Sequence, residues 1–104
     1  MTQMNEVVVE RARNEVSVDA VRNEIVAERV RDVVSKVAHL PQDDLDSSRD
    51  ADLFRDLGVD SAAALDILLS LENEFGVVIP DDSFGNARSL RAIARLIAEL
   101  ELRK

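Results

Sequence analysis

The sequence contains no cysteine, and its 104 residues include one histidine, no tryptophan and no tyrosine. The absence of cysteine excludes disulfide bonds, thiolate metal sites and cysteine nucleophiles. The single histidine, His39, excludes a metal site built from several histidines. Three phenylalanines are the only aromatic residues, so the chain has little surface on which nucleic-acid bases could stack. We therefore expect no metal and no nucleic-acid partner.

Long apolar runs are also absent. No stretch approaches the roughly 18 apolar residues of a membrane helix, and the polar start at residues 1–6 does not have the pattern of a signal peptide. We therefore expect a cytoplasmic protein that has no membrane partner. A chain of 104 residues favours one domain with one modest core. A deep substrate pocket would not fit beside that core, so we do not expect an enzyme.

The acidic residues are unevenly distributed along the chain. Residues 56–87 hold seven acidic side chains and neither lysine nor arginine, and they account for most of the net charge of −8. A one-sided negative field repels nucleic-acid phosphates and attracts basic protein surfaces. The middle of the chain is therefore expected to face basic protein partners.

The first half of the chain is predicted to form one helix and one long loop. Valines at helical spacing predict a helix over about residues 25–38. The segment at 39–41, which contains Pro41, ends this helix. Residues 42–58 are expected to form a long loop, and such loops in small domains usually have a function. Residues 1–17 are predicted to be a polar extension, and residues 18–104 the folded domain.

Three further helices are predicted after this loop, which makes the fold class all-α. An apolar stripe places the second helix at residues 61–75, and Gly76 can end it in the left-handed conformation. Pro80, followed by two aspartates, suits the start of a short third helix that reaches about residue 87. Ser89 can cap the last helix, whose inner stripe covers residues 90–100.

Ser61 stands at the predicted start of the second helix, directly after Asp60. A serine at a helix start is commonly an N-cap, and position alone favours that interpretation. A nucleophilic serine needs a nearby base. The only histidine, His39, belongs to the end of a different helix, so a hydrolase is not expected.

Two separated blocks of sequence resemble the acyl carrier protein family, namely Asp56-Leu57-Gly58-Val59-Asp60-Ser61 and Leu71-Glu72-Asn73-Glu74-Phe75-Gly76-Val77-Val78-Ile79-Pro80-Asp81. The resemblance covers roughly residues 21–102. It implies a four-helix bundle of acyl-carrier type, with three longer helices, one short helix and a long loop between helices 1 and 2. It also implies that Ser61 carries a covalent 4′-phosphopantetheine arm, derived from coenzyme A, whose thiol holds an acyl or aminoacyl group as a thioester. A phosphate at a helix N-terminus is stabilised by unpaired N–H groups and by the helix dipole.

The resemblance further implies that partners recognise the helix that begins at the modified serine. Its outer face and its start would present Asp60, Ala62, Asp66, Leu69 and Asn73. The implied partners are a phosphopantetheinyl transferase, an acyl- or aminoacyl-loading enzyme, and a ketosynthase or acyltransferase, which would meet the carrier as a monomer. Acidic groups on this helix would steer basic partners toward it.

This chain departs from the family pattern near the serine. The next residue is usually leucine and the one after it often acidic, whereas Ala62 and Ala63 stand here, and a later acidic position is Asn73. These departures favour a dedicated partner set, as in specialised polyketide-type or antibiotic biosynthesis. Fatty-acid synthesis is one alternative, and an unmodified interaction protein that kept the fold is another. The simpler explanation of the alanines is that they are neutral helix formers.

Overall fold

The structure, a computed structural model, describes residues 21–104. This part of the chain contains helices and no strand, which confirms the all-α prediction. The helices are α1 (residues 21–38), α2 (Gln42–Asp46), α3 (Ser61–Phe75), α4 (Asp81–Asn86) and α5 (Leu90–Leu102). The predicted boundary between a polar extension at 1–17 and a domain from 18 onward lies outside the described residues.

The first helix, α1, ends where one residue adopts a left-handed conformation. His39 has a φ of 59°, which is uncommon for residues other than glycine. The N–H of Leu40 donates to the carbonyl oxygen of Ser35 at 3.1 Å, which satisfies a carbonyl of the last turn. The predicted end of this helix is therefore confirmed. Its predicted start near Ile25 is too late, because residues 21–24 are already helical.

The predicted long loop contains a short helix that the sequence analysis missed. Helix α2 follows Pro41, whose φ of −61° and ψ of 140° place it just outside the helix. The first turn of α2 carries Asp43 and Asp44, whose charges are favourable at the positive end of a helix. Leu45 is fully buried and anchors the helix to the core. The prediction of a loop over residues 42–58 is therefore wrong for residues 42–46, which are helical.

The start of α4 repeats the start of α2. Pro80 has a φ of −61° and a ψ of 139°, and Asp81 and Asp82 form the first turn after it. This short helix was predicted from that proline and those acids, and it ends at Asn86, one residue before the predicted end. The same signal is present at Pro41, with one glutamine inserted, and would have located α2.

Helices α3 and α5 have the predicted bounds to within two residues. Gly76 ends α3 with a φ of 64°, and its N–H donates to the carbonyl oxygen of Glu72 at 2.9 Å. Ser89 caps α5, since its hydroxyl accepts a hydrogen bond from the N–H of Ala92 at 3.1 Å.

One apolar core lies where α1, α3 and α5 meet, and none of its members is polar. The three helices contribute the buried side chains Val26, Val30, Val34, Ile67, Leu71, Phe75, Leu90, Ile93 and Ile97. The connection between α2 and α3 adds Leu53 and Val59, which are also buried. The segment that leads to Ser61 is therefore packed against the core.

Candidate functional site

Ser61 is the first residue of α3, and its side chain is exposed. The N-cap of this helix is Asp60, whose carboxylate oxygen Oδ1 accepts a hydrogen bond from the N–H of Ala63 at 2.8 Å. The capping role that position alone favoured for Ser61 therefore belongs to its neighbour. As a result, the Ser61 hydroxyl is not needed to complete the helix.

The polar groups around Ser61 leave its hydroxyl accessible. Within residues 21–104, this hydroxyl takes part in no hydrogen bond. The N–H of Ala63 is bound by the Asp60 side chain, and the N–H of Ala64 donates to the Asp60 carbonyl oxygen at 2.9 Å. The N–H groups of Ser61 and Ala62 remain at the positive end of the helix, where a negative charge is stabilised.

The segment before Ser61 has a defined conformation. Gly58 has a φ of 75°, and a Cβ atom added there would have no heavy atom within 4 Å. Glycine is thus required at this position for the backbone angle and not for space. The next residue, Val59, is buried, and its N–H donates to the carbonyl oxygen of Leu53 at 2.9 Å. These features fix the backbone two residues before the serine.

A further group of side chains fastens this segment to the connection between α4 and α5. The Nε of Arg88 donates to Oδ2 of Asp52 at 2.6 Å, and a terminal nitrogen of Arg88 donates to Oδ1 at 3.2 Å. The same Oδ1 accepts hydrogen bonds from the N–H groups of Phe54 and Arg55, both at 2.9 Å. The guanidinium carbon of Arg88 lies 4.7 Å from the centre of the Phe54 ring.

These contacts shift the pKa of both groups in the direction that favours the charged form. The hydrogen bonds from the Arg88 side chain, and then those from the N–H groups of Arg55 and Phe54, lower the pKa of Asp52 from 3.8 to about 2. The hydrogen bond to Asp52 raises the pKa of Arg88. This pair joins residues that are 36 positions apart, and it was not predicted from the sequence. The only local indication in the sequence was Asp52 itself, an aspartate at the start of a turn.

The outer face of α3 carries the residues that were predicted to meet partners. Asp60, at the start of the helix, and four residues along it are all exposed, namely Ala62, Asp66, Leu69 and Asn73. Their spacing of four, three and four residues places the last four on one stripe. Leu65 was missed. It is 55% exposed and Leu69 is 54% exposed, so two apolar side chains one turn apart face solvent.

Comparison with known families gives a match to the phosphopantetheine attachment site over residues 28–97. The matched range covers more than half of the chain and includes all of α2, α3 and α4. The chain belongs to this family. Membership confirms the resemblance to acyl carrier proteins and identifies 4′-phosphopantetheine as the covalent cofactor.

The chain is also similar to a curated acyl carrier protein of Rickettsia bellii (strain RML369-C). The two are 35% identical over 52 residues, which cover 50% of this chain. The aligned part spans 60% of the length of that relative.

The surroundings of Ser61 fit the phosphate of a phosphopantetheine arm. The family chemistry needs a hydroxyl that a modifying enzyme can reach, and the exposed Ser61 side chain provides one. The two N–H groups at the start of α3 lie where they favour an attached phosphate. The Asp60 carboxylate does not bind the Ser61 hydroxyl, because it accepts a hydrogen bond from the N–H of Ala63.

The acidic stretch of this phosphopantetheine-attachment domain is partly engaged within the fold. Four of its seven acids contact backbone N–H groups or an arginine, namely Asp56, Asp60, Glu72 and Glu74. Among the described residues, Asp66, Asp81 and Asp82 make no ion pair or hydrogen bond. Within the acidic stretch, these three carboxylates are therefore the ones that have no partner among the described residues.

A groove of about 710 Å³ lies between α1 and α5. No residue of α3 or of the segment at 51–60 lines this groove, so it is separate from the serine. His39 directly follows the C-terminal end of α1. Within residues 21–104, no hydrogen bond joins it to Ser61. The described residues therefore do not place a histidine base on this serine.

Two further properties apply to residues 21–104. None of the helices in this range is both long enough and apolar enough to cross a bilayer. The same residues contain no cluster of three or more histidine or acidic side chains that could hold a metal ion.

Proposed function

We propose that Ser61 is the residue that carries the 4′-phosphopantetheine arm. The observation that supports this assignment most strongly is the division of roles at the start of α3. Asp60 caps the helix through Ala63, which leaves the exposed Ser61 hydroxyl available for a bond to phosphorus. Ser61 also lies inside the matched family range of 28–97.

The local geometry would support the attached arm through backbone electrostatics. The Ser61 oxygen would form one ester bond of a phosphodiester, whose negative charge lies at the positive end of a 15-residue helix. The N–H groups of Ser61 and Ala62 would contribute hydrogen-bond donors to that charge. The thiol of the arm would hold an acyl or aminoacyl group as a thioester. The chain would therefore deliver this group without catalysing a reaction on it.

The exposed face of α3 would be the docking surface for the enzymes that load and use the arm. These partners are a phosphopantetheinyl transferase, an acyl- or aminoacyl-loading enzyme, and a ketosynthase or acyltransferase. Leu65 and Leu69 would supply apolar contact, and Asp66 would steer basic surfaces toward the helix. The carrier would act in the cytoplasm as a monomer, and its net charge of −8 disfavours self-association.

The proposed pathway is a specialised one of the polyketide type. Ala63 stands where the family pattern often has an acidic residue, and Asn73 stands at a later acidic position, so α3 has fewer acidic groups than the family pattern has. Such a helix suits partners that recognise shape and apolar contact more than charge. A test is to measure how well a ketosynthase of fatty-acid synthesis uses this loaded carrier and its own fatty-acid carrier. Equal use of the two carriers would favour fatty-acid synthesis instead.

The attachment site can be tested by intact mass spectrometry. The purified protein would be incubated with coenzyme A and a broad-specificity phosphopantetheinyl transferase. We expect one phosphopantetheinyl increment in the wild type and none in Ser61→Ala. Ser70→Ala is a matched control, because it removes a hydroxyl from the same helix, and it should gain the full increment. An increment that persists in Ser61→Ala would refute the assignment.

A further inference from the structure

The ion pair between Asp52 and Arg88 connects two distant parts of the chain beside the serine junction. Two hydrogen bonds join the side chains, at 2.6 and 3.2 Å, in the bidentate arrangement that gives arginine–carboxylate pairs a fixed geometry. The Asp52 side chain is only 16% exposed. The stacking of Arg88 on the Phe54 ring further restricts the guanidinium group. The pair is therefore more constrained than an ordinary surface ion pair.

Backbone hydrogen bonds extend this connection to the residue before the helix cap. The N–H of Leu53 donates to the carbonyl oxygen of Arg88 at 2.8 Å, so the arginine holds the segment through both its side chain and its backbone. The carbonyl oxygen of Leu53 accepts from the N–H of Val59 at 2.9 Å. Val59 immediately precedes Asp60, which caps α3. A continuous set of contacts thus leads from Arg88 to Ser61.

We infer that Asp52 and Arg88 are positioning residues for transfer of the arm to Ser61. They make no hydrogen bond to Ser61, and they act by holding residues 53–59 in the conformation that presents the hydroxyl. This inference rests on the proposed function of Ser61. It assigns to the connection between α4 and α5 a role in modification that the sequence pattern around the serine does not reveal.

Positioning and docking make different predictions for the kinetics of modification. Loss of position inside the complex lowers kcat, whereas loss of a docking contact raises KM. A displacement of about 1 Å at a reacting group can cost up to about 100-fold in rate. For Arg88→Gln we expect kcat to fall about tenfold, with KM for the carrier little changed.

The experiment measures phosphopantetheinyl transfer at saturating coenzyme A over a range of carrier concentrations. Arg103→Gln is the matched control, since it makes the same substitution in a pair with Glu99 at the C-terminal end of α5, and it should match the wild type. Asp52→Asn is the second variant, because it keeps an oxygen for the N–H groups of Phe54 and Arg55 but removes the charge. The double variant should be no slower than the slower single variant, because both substitutions remove the same pair.

Hydrogen exchange separates a loosened segment from a lost docking contact. In Arg88→Gln and Asp52→Asn, the amides of Leu53 and Val59 should exchange faster, while those in the middle of α3 remain protected. An unchanged kcat in both variants would overturn the inference while the assignment of Ser61 stands. A raised KM at unchanged kcat would also overturn it, because Arg88 would then contact the transferase directly. A wild type that accepts no arm would overturn the proposed function and this inference with it.

Discussion

The side chain of Glu72 accepts a hydrogen bond from the N–H of Ile79 at 2.8 Å. The carbonyl oxygen of the same glutamate accepts from the N–H groups of Gly76 and Val77, at 2.9 and 3.3 Å. One residue of α3 therefore holds the extended connection to α4 through its backbone and its side chain. Glu72 belongs to the acidic stretch, but its carboxylate has a structural use.

Replacement of Glu72 should lower stability because it removes an acceptor from a backbone N–H at the buried residue Ile79. We expect Glu72→Ala to lower the free energy of unfolding by about 1.5–3 kcal/mol, the range for a hydrogen bond to a charged group. Urea unfolding measures this change. Glu28→Ala is the control, since Glu28 is exposed on α1, and it should change stability by no more than about 0.5 kcal/mol. Equal stability of the two variants would show that the Glu72 contact contributes nothing.

The low pKa of Asp52 predicts a specific dependence of stability on pH. The folded state holds this pKa at about 2, against an ordinary value of 3.8, so the unfolded chain binds the proton first as pH falls. Its contribution is fully present above about pH 4 and is lost between about pH 4 and pH 2. Asp52→Asn removes this contribution. The difference in unfolding free energy between wild type and variant should therefore shrink over that interval, and a constant difference would contradict the pairing.

Gly58→Ala should destabilise the segment that leads to Ser61. The backbone there has a φ of 75°, and a left-handed conformation costs a residue with a Cβ atom about 1–2 kcal/mol. Gly85→Ala is a matched control, because a Cβ atom at Gly85 also meets open space and its backbone is not in that region. Thermal unfolding of the two variants should show a loss for Gly58→Ala only. Similar melting temperatures would mean that the segment rearranges without strain.

Phe75 should be the most costly side chain of α3 to truncate. It is buried at the end of the helix, and the guanidinium carbon of Arg29 lies 4.7 Å from the centre of its ring. Phe75→Ala should lower the free energy of unfolding by about 3–5 kcal/mol, and Phe75→Leu by less. Val78→Ala, at a position that is 83% exposed, should be close to neutral. A near-normal denaturation midpoint for Phe75→Ala would contradict the observed register of α3.

The helical framework was predictable from the sequence because it depends on local signals. The apolar stripe of α3, the left-handed Gly76 and the Ser89 cap each act within a few residues, and all three are confirmed. Helix α2 was missed although it begins with the proline and acids that located α4. Its length of five residues left too few positions for a periodic pattern.

The long-range contacts of the site were not predictable in the same way. The pairing of Asp52 with Arg88 depends on how the connection between α4 and α5 packs beside the serine segment, and neither residue lies in a recognisable motif. The exposure of Leu65 likewise depends on which face of α3 the core covers. The sequence did not show whether Asp60 or Ser61 caps α3. In the structure Asp60 is the cap, and the Ser61 hydroxyl is left available.

The most direct test of the account is to locate the arm within the modified protein by tandem mass spectrometry. Trypsin should release residues 56–88 as one peptide, since no lysine or arginine lies between Arg55 and Arg88. This peptide contains Ser61, Ser70 and Ser83, so fragmentation must distinguish among them. The account predicts phosphopantetheine on Ser61 alone. An arm on either of the other serines, or an unmodified peptide after complete reaction of a known carrier in parallel, would contradict it.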